Sequence, residues 1–366
     1  MHALKRFGTA FGGYKMMENY PVPECGPDDI ILEIKAAAIC GADMKHWGVD
    51  NGYDDTNITP DQQQSVRGHE FAGEIVKVGE NVKDWHIGQR VVSDNSAHVC
   101  GVCPACEQGD FLCCEHKVNL GLDNNTWGGG FSKYCKVPGE ILAIHKHAIW
   151  EIPKGIKYEE ACVLDPICNA YKAVAQQSHL IPGQDVVVFG TGPLGLFSVQ
   201  VAKLMGAVNI VMVGLDDDVK VRFGVAKELG ATHCVNGSKE DVVARCTEIC
   251  GRDNLGLVIE CSGANIALKQ AIEMTRPNAE IVRVGMGFKP LEFSINDITA
   301  WNKSIIGHMA YDSTSWRNCI RLLQSGQIKV QPMITHRLGL SQWQEGFDKM
   351  AKKEAIKVIF HYDYED

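Results

Sequence analysis

The run Val186-Val187-Val188-Phe189-Gly190-Thr191-Gly192-Pro193-Leu194-Gly195 decides the fold. Four consecutive apolar residues stopped by a turn read as a fully buried strand, and the residues that follow read as a helix to about Met205. The turn itself fits G-x-G-x-x-G. That pattern is common by chance, but after a buried strand and at the opening of a helix it signals dinucleotide binding. Its glycines permit the tight turn and the close approach of a pyrophosphate, whose charge the amides at the helix N-terminus then hold. Gly190, Gly192, Pro193, Leu194 and Gly195 are therefore candidate cofactor residues.

Downstream the pattern repeats. A second apolar strand is expected at Asn209-Ile210-Val211-Met212-Val213-Gly214, a helix near 220–229, and further strands at Leu257-Val258-Ile259-Glu260 and Ile281-Val282-Arg283-Val284-Gly285. Uniformly apolar strands alternating with helices imply a doubly wound parallel sheet of Rossmann type, here assigned to 158–300. The acidic residue expected at the end of the second strand is displaced: Gly214 stands there, and Asp216, Asp217 and Asp218 follow. Asp216 could bind a ribose 2′-hydroxyl, whereas Gly214 with Lys220 and Arg222 could admit a 2′-phosphate, so NAD and NADP both stay open.

Upstream the period is different. Residues 28–39 contain a half-buried alternating stretch, Glu74-Ile75-Val76-Lys77-Val78-Gly79 repeats it, and Gly, Asp, Asn and Pro fill the gaps. This reads as a mostly antiparallel β domain reaching about Pro153, joined by a tail from 301 with mixed strand and helix signals. The expected division of this α/β protein is 1–157 with 301–366, and 158–300 between them.

Composition narrows the function. The 366 residues are 45 % hydrophobic and 22 % charged, with 37 Gly and 13 Pro, which excludes disordered and collagen-like classes. The net charge of −9 and the lack of basic runs argue against a nucleic-acid partner. The N-terminal Met1-His2-Ala3-Leu4-Lys5-Arg6 leads into no apolar stretch of secretory type, and the uncharged window 186–202 is interrupted by glycines and a proline. No membrane association is expected, and a cytoplasmic protein is.

Fifteen cysteines in a reducing compartment call for a metal or a core. Cys100, Cys103, Cys106 and Cys114 form C-x2-C-x2-C-x7-C, and short gaps of this kind let one loop turn four thiolates onto a tetrahedral structural zinc. Cys113 is expected to pack beside them. A second constellation is Cys40-Gly41-Ala42-Asp43, Gly68-His69-Glu70 and Asp165-Pro166. It offers the thiolate, imidazole and carboxylate that a catalytic zinc with one open position requires.

Ile39-Cys40-Gly41-Ala42-Asp43, Gly68-His69-Glu70-Phe71-Ala72-Gly73, the four-cysteine lobe and the glycine turn occur in the order found in zinc-dependent medium-chain dehydrogenases, which the chain resembles over nearly its whole length. Leu164-Asp165-Pro166 resembles the branch containing sorbitol and other polyol dehydrogenases and L-threonine 3-dehydrogenase, where a carboxylate occupies this place. The resemblance implies a GroES-like catalytic domain beside the Rossmann domain. It also implies two zinc ions per chain, and Cys40 and His69 as catalytic ligands with Glu70 or Asp165 as the third. The implied reaction interconverts a secondary alcohol of a polyol, sugar alcohol or polyol phosphate and its ketone, with NAD or NADP. An amino alcohol such as threonine is the alternative substrate, and a non-catalytic dinucleotide-binding protein a remote one. A homodimer or homotetramer is expected. Two departures stand out. In the proton relay Ala42 replaces the family's usual Ser or Thr and Lys45 a frequent His, with His46 beside it, and the Gly214–Asp218 segment is longer than in most relatives. The proton route is then open among water, Glu70, Lys45 and His46.

Overall fold

The computed structural model describes residues 1–7, 13–44, 47, 65–123, 127–287 and 289–365. Lys45 and His46 lie outside these. The chain forms two compact units, 1–165 with 312–316 and 334–366, and 166–311 with 317–333.

In the second unit the strands Val186–Phe189, Ile210–Gly214, His233–Asn236, Leu257–Glu260, Glu280–Arg283 and Ser304–Gly307 form one parallel sheet. In space the order is His233–Asn236, Ile210–Gly214, Val186–Phe189, Leu257–Glu260, Glu280–Arg283, Ser304–Gly307. The strand order reverses beside Val186–Phe189, the place where doubly wound sheets bind their ligands. Val186, Val187, Val188 and Phe189 are all buried, each contributing about 1.5–3 kcal/mol of apolar burial. Val187, Val211, Val258 and Ile281 pack with Leu268, Ala271 and Ile272 into one core. This is why periodicity alone revealed the sheet.

Residues 301–311 and 317–333, placed by the sequence with the first domain, lie in this unit. The apolar Ile305 and Ile306 sit in a strand registered against Ile281 and Val282, which draws the segment into the parallel sheet. Conversely, the helix Tyr158–Ala161 belongs to the first unit.

The first unit is built on a seven-stranded sheet. Its main path runs Ile334–Gly339, Lys357–His361, Ile30–Ala38, Glu70–Val78, Arg90–Ser93, Ile149–Glu151, and Tyr134–Val137 also pairs with Ile30–Ala38. All pairs are antiparallel except Ile334–Gly339 with Lys357–His361. Leu32, Phe71, Phe131, Phe347 and Phe360 meet in its core. Ala38 pairs with Glu70 on one side and with Ile359 on the other. The end of the Ile30–Ala38 strand is thus flanked by the starts of two others, and side chains from distant parts of the chain converge there.

Candidate functional site

Cys40 lies just beyond the Ile30–Ala38 strand, His69 just before Glu70–Val78, and Glu70 on its first residue. A Cys40 sulfur, a His69 ring nitrogen and a Glu70 carboxylate oxygen lie within 4.8 Å of one another. Gly68 makes this approach possible. Its φ is +88°, and a Cβ there would lie 2.6 Å from the Phe131 ring, so a larger residue would displace the adjoining histidine.

Asp43, fully buried in the turn Gly41–Met44, organises Cys40 and His69. Its Oδ2 accepts the Cys40 N–H at 3.0 Å, and its Oδ1 lies 4.0 Å from His69 Nδ1 and 3.7 Å from Arg67 Nε. Tyr14 donates its hydroxyl proton to the Asp43 carbonyl at 2.8 Å, and burial pushes that phenol up to about 12. Outer contacts of this kind orient metal ligands.

The charge state of the cluster follows from its seclusion. Burial pushes the Cys40 thiol up, with the Lys357 ammonium pulling it back, and pushes the Glu70 carboxyl well above the usual carboxylate range. Glu70 Oε2 forms an ion pair with Lys357 Nζ, and both carboxylate oxygens are buried with no hydrogen-bond partner. A buried carboxylate oxygen left without a donor, beside a thiol and an imidazole, suits a cation with borderline-soft tastes. The residues present therefore fit zinc.

Asp165, in the first turn of the helix Leu164–Tyr171, lies outside this cluster of three. Its Oδ2 accepts a hydrogen bond from Asn95 Nδ2 at 2.8 Å, yet its charge still raises the pKa values of Cys40 and Glu70. Asn95 has φ +71°, a backbone state that asparagine tolerates better than most residues.

The four cysteines of the lobe also converge. Their sulfurs lie within 4.8 Å of one another and form no disulfide; Cys114 Sγ is 3.6 Å and Cys106 Sγ 4.0 Å from Cys100 Sγ. Cys103 precedes the short helix Pro104–Glu107, and the 3-10 turn Phe111–Cys113 brings Cys114 back. The thiols do not titrate alike. Hydrogen bonds from the Val102 and Cys103 amides help bring Cys100 down to about 7, and loss of solvation drives Cys106 up to about 12. A divalent cation would allow all four to ionise. Cys113 is exposed rather than packed, although its neighbours Leu112 and Cys114 on either side are buried. The lobe is fastened by Phe111, whose ring lies 4.2 Å from that of His145, itself bonded to Asp94 at 2.5 Å.

At the glycine turn, Gly190 has φ +95°, and a Cβ on Gly195 would lie 1.8 Å from the Gly190 carbonyl oxygen. Gly192 caps the helix Pro193–Leu204, with Pro193 at its first position. Neighbouring Glu260, fully buried, accepts hydrogen bonds from the Ser262 and Gly263 amides at 2.7 and 2.9 Å and so shapes the loop packed on Gly190. Gly214 has no room for a side chain: a Cβ would meet Thr191 at 2.6 Å and Phe223 at 2.7 Å. Asp218 is drawn inward to the Leu215 amide and Arg222, whereas exposed Asp216 accepts from Asn236 and pairs with Lys239.

Residues of these sites not singled out in the sequence include Tyr14, Arg67, Asn95, Glu260 and Lys357. Lys357 carried a signal, since it is a lone charge in Ile356-Lys357-Val358-Ile359-Phe360. Among the described residues no helix is long and apolar enough to cross a membrane.

Comparison with known proteins gives two family matches, an alcohol dehydrogenase GroES-like domain over residues 26–147 and a zinc-binding dehydrogenase over residues 193–325. The chain is 77 % identical to the uncharacterized zinc-type alcohol dehydrogenase-like protein YdjL of Escherichia coli (strain K12), over 100 % of both chains. It is 30 % identical to the sorbitol dehydrogenase of Halalkalibacterium halodurans, over 98 % of each chain. It is also 32 % identical to the L-threonine 3-dehydrogenase of Pyrococcus furiosus, over 93 % of this chain and 92 % of that one.

Proposed function

We propose, since the chain belongs to the zinc-type medium-chain dehydrogenases, that it interconverts a secondary alcohol of a polyol, sugar alcohol or polyol phosphate and the corresponding ketone. It is an oxidoreductase whose cofactors are zinc and NAD or NADP. The observation that carries the finer reading is the Cys40–His69–Glu70 cluster with Asp165 nearby, which makes the site rich in carboxylate. Similarity to a sorbitol dehydrogenase supports the substrate class.

In this reading Cys40, His69 and Glu70 hold the catalytic zinc, and Cys100, Cys103, Cys106 and Cys114 hold a structural one. Bound there, zinc supplies Lewis acidity that makes an alcohol proton easy to lose near neutral pH. The chain does the remaining work. Asp43 fixes the Cys40 backbone, and Gly68 sets the approach of His69. Asp165, held by Asn95, adds negative charge at the rim, and the Gly190–Gly195 turn seats the pyrophosphate of the dinucleotide. With Ala42 in place of a hydroxyl, the proton leaves by way of water and Glu70, Lys45 or His46.

Similarity to a threonine dehydrogenase favours a second reading, in which the secondary alcohol belongs to an amino alcohol. An assay of the zinc-loaded protein against polyols, polyol phosphates and L-threonine, each with NAD and NADP, separates the two. Highest kcat/KM on a polyol or its phosphate is expected. Threonine oxidation exceeding that of every polyol would establish the second reading instead.

A further inference from the structure

Lys357 is 1 % exposed on the Lys357–His361 strand, 287 residues beyond Glu70, and it touches two parts of the cluster at once. Its Nζ pairs with Glu70 Oε2 and donates to the Ile39 carbonyl at 3.0 Å, one residue before Cys40. A buried ammonium is costly unless it is paired and hydrogen-bonded, and both conditions are met here. Burial works against its charge, but the Glu70 carboxylate and then the Cys40 thiol around it hold its pKa above the ordinary lysine value.

The geometry has a consequence for the metal. Glu70 has two oxygens, and Lys357 engages one of them. Both oxygens are buried without a hydrogen-bond partner, and the Lys357 ion pair reaches Oε2, which leaves Oε1 to a further cation. We propose that Lys357 is a positioning residue of the catalytic metal site, clamping the Cys40 segment and holding Glu70 so that one oxygen alone faces the metal.

The proposal rests on reading the Cys40–His69–Glu70 cluster as the zinc site, and the test keeps the two apart. The zinc missing from His69→Ala identifies the site. Competition with a chelator then measures how tightly Lys357→Met and Lys357→Gln hold that same zinc, and cobalt substitution reports its coordination through the visible bands. Loss of an outer-shell partner typically costs about 10–100-fold in metal affinity. A loss of that size, with altered cobalt bands and the four-cysteine zinc retained, is expected in both neutral variants. Lys357→Arg, which keeps the charge and the donors, should restore both readouts; it also stands in should the neutral variants fail to fold, and a folded Lys357→Arg protein lacking this zinc would overturn the proposal. So would folded Met and Gln variants that hold zinc as tightly as wild type or tighter with unchanged cobalt bands. If His69→Ala keeps both zincs, the reading of the cluster fails, whatever Lys357 does.

Discussion

The cysteine lobe and the Cys40–His69–Glu70 cluster are both donor sets drawn within 4.8 Å, yet they are assembled in opposite ways. All four donors of the lobe come from fifteen consecutive residues, and two short turns bring them together. The cluster takes its donors from the ends of two strands nearly thirty residues apart, and its clamp from a third strand far along the chain. A local site needs only loop closure, whereas an assembled one needs the whole sheet in register. The lobe should therefore govern stability, and the cluster activity.

His69→Ala puts the sharpest strain on this contrast. Turnover should fall to background with loss of about one zinc per chain, while the dinucleotide still binds at the separate glycine turn, as fluorescence titration would show. Substantial activity in a protein lacking that zinc would refute the assignment. Cys103→Ser tests the other side. It should lose the second zinc and destabilise the fold by on the order of several kcal/mol, because a closed site contributes its binding energy to folding; unchanged melting with full metal content would contradict this. The smallest effect is expected for Asp165→Asn, which removes one charge but retains an oxygen for Asn95. Zinc affinity and kcat should fall together by about tenfold or less. Wild-type values in both would leave Glu70 as the sole carboxylate that matters.

What could be read in the sequence follows the same divide. The Val186–Phe189 strand, its turn and the cysteine spacing are local patterns, and the structure has them where the residues put them. Residues 301–311 were misassigned because membership of a parallel sheet depends on a partner strand that no local pattern names. The choice between Glu70 and Asp165 stayed open for a similar reason. The contacts that distinguish them, Asn95 to Asp165 and Lys357 to Glu70, span 70 and 287 residues. Gly214 shows a different limit: the absence of an acidic side chain was visible, but the crowding by Thr191 and Phe223 was not.

The position of the Lys357–His361 strand also sets a timetable. A ribosome adding roughly 5–20 residues per second needs on the order of 15–60 s to travel from Glu70 to Lys357. Throughout that interval Ala37 and Ala38 lack their Lys357–His361 partner, although Tyr134–Val137 can already pair with Ile30–Glu33, and the Glu70 carboxylate lacks the Lys357 ammonium. Residues 166–311, made in one piece meanwhile, can complete most of their parallel sheet first. The nascent first unit thus waits on the last strand of its own sheet, and the end of Ile30–Ala38 beside Cys40 is the part completed last.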